Sequence, residues 1–174
     1  MVFFFFDKNN AVVESSNSNN TSAPLAITLS VPPPAEMSIT NITPPATVAL
    51  GGNAVFTWTV QNTGANPVEG QWRDTVYLSR DQFWDATDTL VGIRDLNSQT
   101  TSVPAGGGTY TTSYSGPLPP VNDGTYYVIV RTDAQNRIRE SNEANNVATS
   151  VGTTTVTITT LTLNTPFNTT LGNG

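Results

Sequence analysis

Ala54-Val55-Phe56-Thr57-Trp58-Thr59-Val60-Gln61-Asn62 and Gln71-Trp72-Arg73-Asp74-Thr75-Val76-Tyr77-Leu78-Ser79 decide the fold. In the first stretch Phe56, Trp58 and Val60 share one face, while Thr57, Thr59 and Gln61 share the other. In the second, Trp72, Val76 and Leu78 oppose Arg73, Thr75 and Tyr77. Successive side chains of a strand point to opposite faces, so each run reads as a strand with one apolar and one polar side. Such strands must bury the apolar side, and two sheets packed face to face do so around one core.

Turn residues punctuate the rest of the stretch at intervals close to those of a sandwich. Strands are expected at 37–42, 54–62, 71–79, 89–95, 109–114, 124–133 and 147–158, and nothing between 35 and 160 reads as helix. The fold class is therefore all-β, an immunoglobulin-like antiparallel β-sandwich of about seven strands. There is no Cys, so Trp58 and the other inward aromatics must fill the core without a disulfide.

Composition narrows the function. The 174 residues include no His and no Cys, which removes Ser-His-Asp triads, Cys nucleophiles, thiolate or imidazole zinc sites and the usual haem ligation. Seven basic residues against thirteen acidic ones give a net charge of −6. Binding to phosphate backbones needs a basic stripe, so no nucleic acid partner is expected. Charged residues are only 11% of the chain, against about 25% in an average globular protein. Thr, Asn and Ser fill the gap, as suits a β-rich module. The apolar run Phe3 to Phe6 is far shorter than the roughly 20 residues of a membrane span. It also lacks the basic flank of a signal peptide, so no membrane insertion is expected.

The chain matches itself. The pattern D-x-x-N-x-(Ile/Val)-x-E-S-x-x-x-N-N runs from Asp7 to Asn20 and again from Asp133 to Asn146, without gaps, at an offset of 126 residues (133 − 7). Phe3 to Phe6 then falls opposite the end of the strand at 124–133. An offset of one domain length points to tandem modules. Residues 1–31 read as the C-terminal fragment of a preceding repeat, 32–36 as a Pro-rich linker and 37–160 as a complete sandwich. Residues 161–174 read as a further linker or the start of another element. The Pro32-Pro33-Pro34 run makes a stiff, extended spacer. The fragment is expected to be loosely ordered or paired against another strand edge.

Four motifs stand in the order and spacing of one bacterial family: Val60-Gln61-Asn62-Thr63-Gly64, Trp72 through Asp81, Gly124-Thr125-Tyr126-Tyr127-Val128, and Asp133 through Asn146. In them the chain resembles CARDB, the "cell adhesion related domain found in bacteria". The first motif is common among bacterial sandwiches, whereas the Trp-x-Asp-x-Val-Tyr-Leu-Ser-x-Asp and terminal Asn-Asn motifs are specific. The resemblance covers roughly 37–158 and, in truncated form, 3–31. It implies a β-sandwich often found in tandem, in secreted or surface-attached proteins. It implies no enzyme and no single ligand. Partners implied are neighbouring modules of a longer chain and a cell-surface protein or polysaccharide, at an extracellular or cell-surface location.

Three candidate sites remain. Asp81, Asp85 and Asp88 share one loop, and calcium takes six to eight such oxygen ligands without His or Cys. Their spacing is not that of an EF-hand, and the competing reading is a solvated loop of Asx turns. Asp133, Asn136, Glu140, Glu143, Asn145 and Asn146 form a second acidic and amide loop. Its first copy has Asn17 where Glu143 stands, a loss of charge that favours capping of loop backbone over a strict metal site. Phe83 and Trp84 are the best candidates for a sugar-stacking platform, against the commoner role of aromatics in packing. The composition leaves open one catalytic class, a carboxylate-pair glycosidase, and no pair of carboxyls is placed by the sequence to perform it.

Overall fold

A computed structural model describes residues 1–158. It falls into two units, Met1–Pro32 and a second beginning at Pro33. The second unit contains eight strands: β1 Met37–Thr43, β2 Thr47–Ala49, β3 Asn53–Asn62, β4 Gln71–Ser79, β5 Thr89–Asn97, β6 Gly108–Pro117, β7 Gly124–Arg131 and β8 Val147–Thr157. They form a three-stranded sheet, β1-β3-β6, and a five-stranded sheet, β2-β8-β7-β4-β5. The two make the expected sandwich. Among the described residues there is no α-helix, only a 3-10 turn at Asn17–Asn19.

Seven of the strands stand where the alternation placed them, and the eighth is β2. Its three residues lie between Pro45 and Gly51-Gly52, too short for a period-2 signal. β2 runs parallel to β8, whereas the other strand pairs are antiparallel. Residues 159–174, including the expected C-terminal element, lie outside the described residues.

The inward faces supply the core. Phe56, Trp58 and Val60 of β3 meet Trp72, Val76 and Leu78 of β4 and Val128 and Val130 of β7, all essentially without solvent contact. Truncating one buried aromatic of this kind to Ala costs about 3–5 kcal/mol.

One inward residue is charged. Asp74 lies between Trp72 and Val76 on the core face of β4 and is fully buried. Its Oδ2 accepts from Trp58 Nε1 at 2.8 Å and from Tyr110 Oη at 2.7 Å. Its Oδ1 accepts from Thr132 Oγ1 at 2.9 Å and from the backbone N–H of Asp133 at 3.3 Å. Trp72 Nε1 in turn donates to Tyr110 Oη at 3.1 Å. Burial pushes the Asp74 carboxyl up to about 6, against the four hydrogen bonds that favour its charge. The same burial, with the Asp74 charge beside it, pushes the Tyr110 phenol well above its ordinary value. Asp74 thus ties both sheets to the end of β7, where the repeated motif begins.

The first unit is a short hairpin. Val2 N–H donates to Leu25 O and Leu25 N–H to Val2 O, both at 3.0 Å, and Ser22 N–H donates to Phe4 O at 2.9 Å. Its apolar side chains are largely open: Phe3 to Phe6 are all exposed, as are Val12, Val13 and Leu29.

Candidate functional site

The motif from Asp133 to Asn146 opens on a left-handed turn. Asp133 and Asn136 have φ of 37° and 48°, a region open to Asp and Asn because their side chains bond the local backbone. Asn136 N–H donates to Asp133 O at 2.8 Å. The Asp133 carboxylate, fully buried, accepts from the N–H of Arg137 at 3.0 Å and of Ile138 at 2.7 Å. This sets Ile138 into the core.

The matching stretch from Asp7 repeats the geometry of that turn bond for bond. Asp7 and Asn10 have φ of 39° and 50°, and Asn10 N–H donates to Asp7 O at 2.9 Å. Asp7 accepts from Ala11 N–H at 2.7 Å and Val12 N–H at 3.0 Å. Phe6 N–H donates to Asn20 O at 2.9 Å, as Thr132 N–H does to Asn146 O at 2.9 Å. The bridge Phe5–Thr21 stands where the module pairs Arg131 with Val147.

Beyond the turn the motif closes over the start of the module. Glu140 accepts from the backbone N–H of Met37 and from Asn146 Nδ2, and pairs with Ala35 in a parallel bridge. Glu36 answers from the other side: it accepts from Ser141 N–H at 3.0 Å, Asn142 N–H at 3.1 Å, Ser141 Oγ and Asn145 Nδ2 at 2.8 Å. The buried Asn62 completes the clasp. Its Oδ1 accepts from Glu36 N–H at 2.9 Å and Gly64 N–H at 3.0 Å, and its Nδ2 donates to Asn66 O at 2.9 Å. A side chain at Gly64 would sit 2.5 Å from the backbone of Ala35 and Glu36, so this position needs glycine. Ala35 is buried in the core, so the segment expected to be linker is joined to the sandwich before β1 begins.

The two glutamates titrate in opposite directions. Half-buried Glu140 is pushed up to about 7, by desolvation first and by the neighbouring Glu143 and Asp133 charges. For Glu36, burial opposes the charge, but its hydrogen bonds from Ser141, Asn145 and Asn142 outweigh it and lower the pKa. Of the expected loop residues, Glu140, Asn145 and Asn146 meet at this clasp, while Asp133 and Asn136 build the turn before it. Glu143 caps Glu140 N–H at 3.3 Å. Glu36 and Asn62 were not among the expected site residues. Glu36 lies more than a hundred positions from the residues it holds, so no local spacing marks it, whereas Asn62 stands within the Val60–Gly64 motif and bonds Gly64 N–H and Asn66 O nearby.

The loop carrying Asp81, Asp85 and Asp88 is separate. Asp81 accepts from Phe83 N–H at 2.8 Å, Asp85 from Thr87 N–H at 2.7 Å and Oγ1 at 2.6 Å, and Asp88 from Asp85 N–H at 3.0 Å. The Thr87 bonds hold the Asp85 carboxyl below its ordinary range. Among the described residues, no three acidic groups lie together in a way that could hold a metal ion. Asp81 and Asp88 do border an open groove of about 470 Å³, whose other wall includes Pro120, Asn122 and Tyr126.

Trp84 and Phe83 part company. The Arg131 guanidinium lies 4.0 Å from the Trp84 ring centroid, and Tyr77 meets the ring edge-on at 6.1 Å. Gln82 O accepts from Thr149 Oγ1 at 2.7 Å, so the loop folds onto the outer face of the five-stranded sheet. Ile129, opposite Tyr77 in register and alternating with core-facing Val128 and Val130, is fully buried on that face. Trp84 therefore packs on the sheet through part of its ring and stays 39% exposed, whereas Phe83 is 77% exposed.

The CARDB family model matches residues 34–150. Among solved structures the chain is similar to the CARDB domain of the PF1109 protein from Pyrococcus furiosus, in complex with di-metal ions. The two are 22% identical with a TM-score of 0.50, over 71% of this chain and 90% of that one. It is also similar to a domain of a putative cell surface protein from Methanosarcina acetivorans, at 19% identity and a TM-score of 0.49, over 67% and 88% of the two chains. A β-glucosidase from Listeria innocua matches at 16% identity and a TM-score of 0.44, over 70% of this chain but 16% of the enzyme. No curated protein sequence matches it. With most of its length matched by the family model, this chain belongs to the CARDB family.

Proposed function

We propose that this member of the CARDB family is a non-catalytic spacer and adhesion module, one link of a tandem array in a secreted or cell-surface protein. The family is one of non-catalytic, adhesion-type domains. The observation that carries the tandem reading is the bond-for-bond agreement of the turn at Asp7 with the turn at Asp133, 126 residues on. Side chains that could recognise a ligand in the second motif are spent on the module's own entrance. Glu36, Glu140 and Asn62 fix the path of the chain as it enters β1, and the Pro-rich segment before it is a stiff spacer. The function is then geometric: it holds a distal domain at a fixed distance and direction.

The test is small-angle scattering from a chain with two complete copies at the 126-residue period. A single extended conformation supports the reading, and a broad distribution of intermodule distances contradicts it. A second reading, a calcium or carbohydrate module, is favoured by the groove beside Asp81 and Asp88 and by the open Phe83 ring. It predicts a melting temperature that rises in millimolar calcium, or Trp84 fluorescence that responds to polysaccharide.

A further inference from the structure

Two parallel contacts join the first segments of the sandwich to its last. Ala35 bridges Glu140 in parallel, and β2 runs parallel to β8, with Thr47 beside Thr155, Val48 beside Val156 and Ala49 beside Thr157. The second seam carries further bonds: Thr155 N–H to Ala46 O at 2.9 Å, Leu50 N–H to Thr157 O at 2.8 Å and Thr154 Oγ1 to Pro45 O at 2.8 Å. The first carries the clasp of Glu36, Glu140 and Asn62.

Parallel pairing of entering and leaving chain has a mechanical consequence. Tension through the two ends draws β2 backwards along its own axis and β8 forwards. The strands must slide past each other, so every hydrogen bond across the seam is strained at once. An antiparallel pair pulled from its adjoining ends instead opens one bond at a time, because load reaches each rung only after the last has broken. We propose that the sandwich is a tension-resisting link, with the clasp at residues 35–37 and the β2–β8 seam acting in series as its two shear contacts. This rests on the spacer reading, and the tests differ: a weak link would end the mechanical inference and leave the scattering prediction untouched.

The chain has no Cys, so a pair of introduced cysteines gives the only attachment points for force spectroscopy. The full chain is pulled through Pro32→Cys and Ile158→Cys, which loads both seams in shear. It is then pulled through Asp123→Cys and Ile158→Cys, which opens β7 from β8 where Gly124 faces Val156. The expected rupture force is at least about twofold higher in the first geometry, since forced unfolding reports the barrier along the pulled direction. Equal forces would overturn the proposal.

Leu50→Pro sharpens the test. Gly52 N–H bonds Ala49 O at 2.8 Å and Gly51 has φ of 70°, so Leu50 is the second residue of a turn that accepts proline. The substitution keeps the turn and removes one donor from the seam. At fixed force it is expected to speed unfolding roughly tenfold in the shear geometry and less than about twofold in the peeling one. Equal acceleration in both would contradict the proposal.

Discussion

The hairpin of residues 1–31 and its counterpart in the module share their turn and part in their burial. Asp7 and Asp133 hold the same two amides, four and five residues on, with φ values that agree within a few degrees. Val128, Val130 and Ile138 are at most 5% exposed, while Phe4 and Val12, their counterparts for the last two, are 58% and 60% exposed. A left-handed Asp with its carboxylate on the following amides is local chemistry, and it forms with or without a core beneath it. What the module adds is everything distant: β4 beside β7, the buried Asp74 and the clasp at Glu36. The difference separates what the motif does by itself from what the fold makes of it.

Removing Asp74 is expected to break the comparison hardest. Asp74→Ala leaves the donors of Trp58 and Asp133, and one of the Tyr110 and Thr132 hydroxyls, which lie 3.0 Å apart, without their acceptor in the core. It should cost about 4 kcal/mol by urea unfolding. A loss under about 1 kcal/mol would show that the network is not what ties the sheets together.

The pH dependence comes next. The folded pKa of Asp74 is raised to about 6 from 3.8, so its contribution is fully present below the unfolded value and lost as pH rises through 6. A rise of that size corresponds to about 3 kcal/mol. Glu140, raised to about 7 from 4.5, has the same sign over a higher window, whereas Glu36, lowered, loses its contribution as pH falls. Unfolding free energy should therefore decline from about pH 4, near the unfolded value of Asp74, to about pH 8, one unit above the Glu140 midpoint. In Asp74→Asn the slope below pH 6 should fall by about half, leaving the Glu140 part that runs up to about pH 7. An unchanged profile in Asp74→Asn would assign the slope elsewhere.

The smallest effect sharpens the contrast between the copies. Val130→Ala opens a core cavity and should cost about 2 kcal/mol. Phe4→Ala, at the matching position, should change module stability by less than about 0.5 kcal/mol. Equal losses from the two, read by the same melts, would mean that the copies are buried alike.

Much of the fold was legible in the residues. Alternation in 54–62 and 71–79 carried the two sheets, and the strand positions followed. β2 escaped because three residues between prolines and glycines have no period. Asp74 escaped for another reason: its charge suggests solvent, yet it shares parity with Trp72 and Val76, and parity won because four donors converge on it. The turn at Asp133 could be read from its own letters. The clasp could not, since Glu36 meets residues more than a hundred positions away and nothing beside it announces them.

Amide hydrogen exchange on the full chain tests the central claim most directly: that the repeated motif is a self-contained backbone turn, elaborated into a structural clasp only in the complete module. The account predicts that Arg137 and Ile138 exchange only by global unfolding, and that Ala11 and Val12 show weaker, local protection that Asp7→Ala abolishes without touching the module. Unprotected amides at Ala11 and Val12 in the unaltered chain, or protection there that survives Asp7→Ala, would contradict it.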